Sequence, residues 1–118
     1  MIRVKATREG LIGQKMASNI PVNTHIPFVA LPSVNALYKV VRLRNPANGA
    51  SCLAMVLDVG PWNVGDNEYV LLGQRPQAES GIDKSGRITN KAGIDIGEKV
   101  WKDLDMRDNT EVEWEFVS

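Results

Sequence analysis

Apolar and charged residues alternate at the beginning, in the middle and at the end of this chain. Ile2 to Thr7 places apolar residues against basic ones, the pattern of a strand with one buried face. Lys39-Val40-Val41-Arg42-Leu43-Arg44 repeats it. Asn45-Pro46-Ala47-Asn48-Gly49 then supplies a turn, with Asn-Gly where a positive φ is tolerated. Ser51 to Leu57 is almost continuously apolar, which predicts a strand covered on both faces. Residues 40–57 therefore predict a hairpin whose second strand ends at Asp58. Glu111 to Val117 alternates strictly: Val112, Trp114 and Phe116 face one way and three glutamates the other. This predicts a closing strand whose glutamate row is solvated and blunts edge pairing.

Helical periodicity is scarce. Asp95 to Leu104 carries an apolar stripe of Ile96, Val100, Trp101 and Leu104, and Asp95 with Glu98 has the form of a capping box. Ser33 to Tyr38, introduced by Pro32, predicts a short helical turn. Residues 62–92 are polar and rich in Gly, Asn, Asp and Pro, a long excursion with one expected strand at Glu68 to Leu72. Trp101 and Trp114 lie in apolar stripes and are expected in the core.

A chain of 118 residues with these patterns reads as one mainly β domain, 1–118, with 62–92 as a loop excursion. Its formal net charge of zero argues against a general nucleic-acid binder. The charge is unevenly placed, however. Residues 1–59 hold seven Lys/Arg and two Asp/Glu, and residues 60–118 hold seven and twelve. Halves of opposite sign could attract one another within one body. No apolar run approaches the roughly 18 residues of a membrane span, and no signal-peptide pattern is visible at the start. Cys52, the single cysteine, has no disulfide partner and no metal-ligand spacing, and reads as packing.

Two acidic segments carry the candidate chemistry: Leu57-Asp58-Val59-Gly60-Pro61-Trp62 and Gly93-Ile94-Asp95-Ile96-Gly97-Glu98. In each, one aspartate follows an apolar stretch and precedes a glycine, so its carboxylate can project from a strand or loop end into a groove. Two carboxylates converging on a groove are the minimum equipment for acid/base attack on a glycosidic bond. The alternative is that Asp58 caps a turn and Asp95 caps a helix. Trp62 beside Asp58 is the leading sugar-stacking candidate, with closure of a barrel end as its alternative, and Tyr69 is a second candidate. His25 sits in a proline-flanked loop with no Cys or His partner. Glu68, Glu79 and Asp83 read as solvated loop acids that could reach a groove mouth.

Taken in order, Ala6-Thr7, Phe28-Val29-Ala30-Leu31-Pro32-Ser33, Val41-Arg42-Leu43-Arg44-Asn45 with Asn48-Gly49, Leu57-Asp58-Val59-Gly60-Pro61 and Ile94-Asp95-Ile96-Gly97 resemble segments of the double-psi β-barrel proteins of the expansin and rare lipoprotein A type. The lytic transglycosylase domain named for its three aspartates carries a comparable pair. The resemblance implies a six-stranded double-psi β-barrel with one or two short helices. It also implies a glycan groove lined by Thr7, with Asp95 tied to glycan chemistry or binding and Asp58 nearby. Departures are Val59 where that family has arginine and Phe28 where rare lipoprotein A proteins have histidine.

The expected function is a cell-wall glycan-active module, cleaving peptidoglycan in the manner of a lytic transglycosylase or of a muramidase-like glycoside hydrolase. Asp95 and Asp58 would be catalytic, with Thr7, Trp62 and Tyr69 binding substrate. Neither a metal nor a cofactor is needed, and the partner is a polysaccharide met at the cell wall, in the periplasm or outside the cell. The rival readings are a non-catalytic, expansin-like glycan-binding or wall-loosening module, and a barrel used only structurally.

Overall fold

The computed structural model describes residues 1–117. Six strands form the wall: β1 (Ile2–Arg8), β2 (Phe28–Leu31), β3 (Val40–Arg44), β4 (Ser51–Val59), β5 (Ile94–Ile96) and β6 (Glu111–Phe116). They close into one barrel in the order β1-β5-β2-β4-β3-β6. The expected mainly β fold, a six-stranded double-psi barrel with short helices, is what these strands form. The helices are α1 (Asn67–Val70) and α2 (Glu98–Asp103), accompanied by 3-10 turns at Val34–Ala36 and Gln77–Ser80. The turn at Val34–Ala36 falls in the segment expected to be helical, and Ser33 caps it through its side chain.

The pairing map has an internal symmetry. Exchanging β1, β2, β3 with β4, β5, β6 turns the parallel β1–β5 pair into the parallel β4–β2 pair. It turns the antiparallel β1–β6 pair into β4–β3 and leaves β2–β5 and β3–β6 in place. The two parallel pairs are not consecutive in sequence, so residues 9–27 and 60–93 must cross the barrel to connect them.

Inward-facing Val4, Ala6, Val29, Leu31, Val41, Leu43, Val56, Ile94, Ile96, Val112 and Trp114 fill the interior. Burial of such side chains stabilises the fold by about 1.5–3 kcal/mol each. Trp101 from α2 joins them, as the apolar stripe predicted. A satellite cluster of Met16, Val22, Phe28 and Leu57 seats the 9–27 connection on the outer surface. Gly97 is obligatory beside it, because a Cβ there would lie 2.7 Å from the Phe28 ring. Cys52 packs half-buried against the core, and burial pushes its thiol up to about 11.

Several local expectations are corrected. Asp95 caps no helix: it lies in β5, Gly97 is the N-cap of α2, and no side chain caps that helix. The segment expected as a strand at Glu68 to Leu72 holds the single-turn helix α1 instead. The outer face of β4 is not covered along its length, since Leu53 and Met55 are exposed. The glutamate row protects no edge, because β6 is paired on both sides. Glu113 meets Arg3 and Arg44 at 3.5 and 2.8 Å, and Glu115 meets Arg42 at 3.9 Å. With Arg8–Glu98 at 2.5 Å, these pairs join the basic first half to the acidic second half.

Candidate functional site

Strand register brings the site residues into one row. Thr7 on β1 is opposite Asp95 on β5, Asp95 is opposite Ala30 on β2, and Ala30 is opposite Asp58 on β4. Residues paired across strands project to the same side of a sheet. The neighbours of this row, Ala6, Ile94, Ile96 and Val29, point into the core, so the row faces outward. With adjacent strands ~4.8 Å apart, the backbones of Asp95 and Asp58 lie about 10 Å apart across Ala30. Under the exchange symmetry Asp95 is equivalent to Ala30, and Thr7 to Asp58.

A bulge aims Asp58. The β2–β4 register shifts between Val29 and Ala30, so Val56 pairs with Val29 while Asp58, not Leu57, pairs with Ala30. Without that extra residue, strand alternation would turn Asp58 into the apolar core; with it, Leu57 enters the satellite cluster and Asp58 stays outside. The Asp58 carboxylate accepts from the backbone N–H of Ala17 and of Val59, each at 2.9 Å. It thereby fastens the 9–27 connection to β4.

Asp95 is the centre of the row. Its Oδ1 accepts from the Thr7 hydroxyl. Its Oδ2 lies beside Gly60, where a Cβ would sit 3.7 Å away, and Gly60 has φ +155°, a conformation that glycine adopts most readily. Burial pushes the Asp95 carboxyl up to about 6; the Thr7 hydroxyl bond opposes this and the charge of Asp58 adds to it.

A third carboxyl, Glu9, belongs to the same cluster. Its backbone N–H donates to Ile96 O at 2.8 Å, which fixes it just past the end of β1. Burial is the main cause that pushes its carboxyl up to about 8, followed by a hydrogen bond with Asp58 and the charges of Asp95 and Asp58. Glu9 Oε2 is shielded and has no donor partner. A carboxyl raised this far keeps its proton at neutral pH, and only in that protonated form can Glu9 donate to the Asp58 carboxylate. Sequence reasoning passed over Glu9. The signal was present: Glu9 follows Thr7 by two residues, the spacing that keeps a strand's side chains on one face.

The other expected site residues separate. Trp62 is half-buried, two residues beyond Gly60, with its indole N–H donating to Asn90 Oδ1 at 2.8 Å and the Arg87 guanidinium 5.7 Å from its ring centroid. Tyr69 is not at the site. It is fully buried in the barrel core, donates to Gly93 O at 2.8 Å and accepts from Trp114 Nε1 at 2.9 Å, so it has no face for a sugar. Gly93 is required there, since a Cβ would come within 3.0 Å of the Tyr69 hydroxyl. Asp83 is buried within its own turn, accepting from the N–H groups of Ser85 and Arg87 and from Arg87 Nε. Glu79 pairs with Arg75, and Glu68 and His25 are exposed. Among the described residues no group of three His, Cys, Asp or Glu is arranged to hold a metal ion. No helix there is long and apolar enough to cross a membrane.

Fold and site together define a closed six-stranded mixed β-barrel with a carboxyl cluster on its outer wall. The chain belongs to the family described as Domain of unknown function (DUF8814), which matches residues 1–115. No curated protein matches the sequence.

Proposed function

We propose that this barrel cleaves glycosidic bonds of a cell-wall glycan, peptidoglycan by preference, in the manner of a lytic transglycosylase. The observation that carries this reading is the single row of Thr7, Asp95 and Asp58, with Asp95 held near pH 6 in its protonation. A carboxyl that keeps a proton close to neutral pH is a competent general acid. In this reading Asp95 protonates the leaving glycosidic oxygen, and Thr7 orients the carboxyl through its hydroxyl. Asp58, fixed by two backbone N–H groups, stabilises the oxocarbenium-like centre. The sugar's own hydroxyl then attacks, and the deprotonated Asp95 receives its proton. The resemblance of these segments to expansin and rare lipoprotein A barrels supports the same assignment.

The test is release of dye-labelled fragments from purified peptidoglycan sacculi. Asp95→Asn keeps size and removes the transferable proton, so turnover should fall by roughly 10²-fold or more while sacculus binding persists. Binding without release by the wild-type protein would replace cleavage by the expansin-like, non-catalytic reading.

A further inference from the structure

The loops 61–65 and 83–87 face each other across a cleft of about 290 Å³. Trp62 forms one wall, immobilised by Asn90 and backed by Arg87. The cleft's hydrogen-bonding inventory is unbalanced towards donors. Its one acid, Asp83, is already occupied: Oδ1 takes two backbone N–H groups and Oδ2 takes Arg87 Nε. The Arg87 side chain is 70% exposed, and only its Nε is engaged with Asp83, which leaves the outer guanidinium nitrogens to other acceptors. Lys84 is exposed and enters no ion pair among the described residues, although its backbone N–H is bound by Asn63 Oδ1. Asn63 also lines the cleft, and its Nδ2 is shielded and has no acceptor among those residues.

A rigid indole wall suits a pyranose ring, and a planar guanidinium with an ammonium beside it suits a carboxylate. We propose that this cleft is a binding subsite for a sugar that carries a carboxylate, with Trp62 against the ring and Arg87 and Lys84 on the acid. Gly60, two residues before Trp62, lies near the Asp95 carboxylate, so the 61–65 wall of the cleft begins beside the carboxyl row. The proposal deepens the glycan reading, because it selects acidic glycans such as muramic-acid strands over neutral ones.

The test is calorimetric titration of the Asp95→Asn protein with two tetrasaccharides of equal length. One alternates N-acetylglucosamine and N-acetylmuramic acid with free lactyl carboxylates; the other is chitotetraose. The acidic ligand should bind more tightly, and its advantage should shrink as salt is raised. Arg87→Gln should weaken the acidic ligand by roughly tenfold and Lys84→Gln by less, with little change for chitotetraose. Trp62→Ala should weaken both. Because Arg87 also braces its own turn, Lys84→Gln and the salt series carry the conclusion if Arg87→Gln misfolds. Equal affinity for both tetrasaccharides, or an acidic preference indifferent to Lys84 and to salt, overturns the subsite. Sacculus cleavage by wild type with no such preference would sink the subsite and spare the proposed activity. An acidic preference without cleavage would do the reverse.

Discussion

At the scale of single residues, the site is a contest between burial and hydrogen bonding. Thr7 donates to Asp95 and thereby favours the charged carboxylate, against burial and the charge of Asp58. Thr7→Val, nearly isosteric, removes that donor. The Asp95 carboxyl should then titrate measurably above about 6, as read by carbon-detected NMR of its side chain. Glu9 offers a second prediction, through stability. Its folded-state carboxyl holds a proton up to about 8, whereas in the unfolded chain it releases it near 4.5. Between those values the native state binds more protons than the unfolded one, so stability falls as pH rises and levels off above about 8. Asp95 acts in the same direction, but only between 3.8 and about 6. The urea midpoint of the wild type should therefore decline from pH 6 to pH 8. Glu9→Gln should be flat there and the more stable protein at pH 8. A wild-type midpoint that rises over this interval would contradict a protonated Glu9.

At the scale of elements, the long 62–92 segment sends two side chains into the barrel's interior. Tyr69 and Val70 lie in the main core, and the Tyr69 hydroxyl ties Gly93 O to Trp114 Nε1. Excision of residues 62–92 should therefore unfold the domain, seen as loss of the cooperative thermal transition. Tyr69→Phe strands both partners and should cost about 1–3 kcal/mol in chemical denaturation. The alternating strands and the Asn-Gly hairpin were legible in the sequence because their signals are local. The core role of Tyr69 was not, because α1 is a four-residue turn, too short to show helical periodicity. Asp95 was misplaced for a related reason. Ile94–Ile96 becomes a strand by pairing with residues 6–8 and 29–30, and the Asp95–Glu98 spacing imitates a cap that Gly97 supplies instead. Glu9 stayed hidden because its acidic neighbours are some 50 and 86 positions away in the chain.

At the scale of the whole molecule, strand order assembles the site. Thr7, Asp95, Ala30 and Asp58 come from four strands that are adjacent in the barrel, although none of the neighbouring pairs is consecutive in sequence. The uneven charge along the chain resolves into cross-strand pairs around the barrel. These pairs are exposed, so each is worth little: Arg42→Gln, which breaks the 3.9 Å contact with Glu115, should shift stability by about 0–1 kcal/mol. The central claim concerns what the assembled row does to a glycan, and product analysis reaches it most directly. Purified sacculi are incubated with wild-type protein and with Asp95→Asn, and the soluble products are resolved by mass spectrometry. The wild type should release fragments ending in anhydro-sugars, formed when the sugar's own hydroxyl attacks, and Asp95→Asn should release almost none. Reducing ends in place of anhydro ends would make the enzyme a hydrolase and remove the intramolecular step. Absence of both from wild-type digests would contradict glycan cleavage at Asp95.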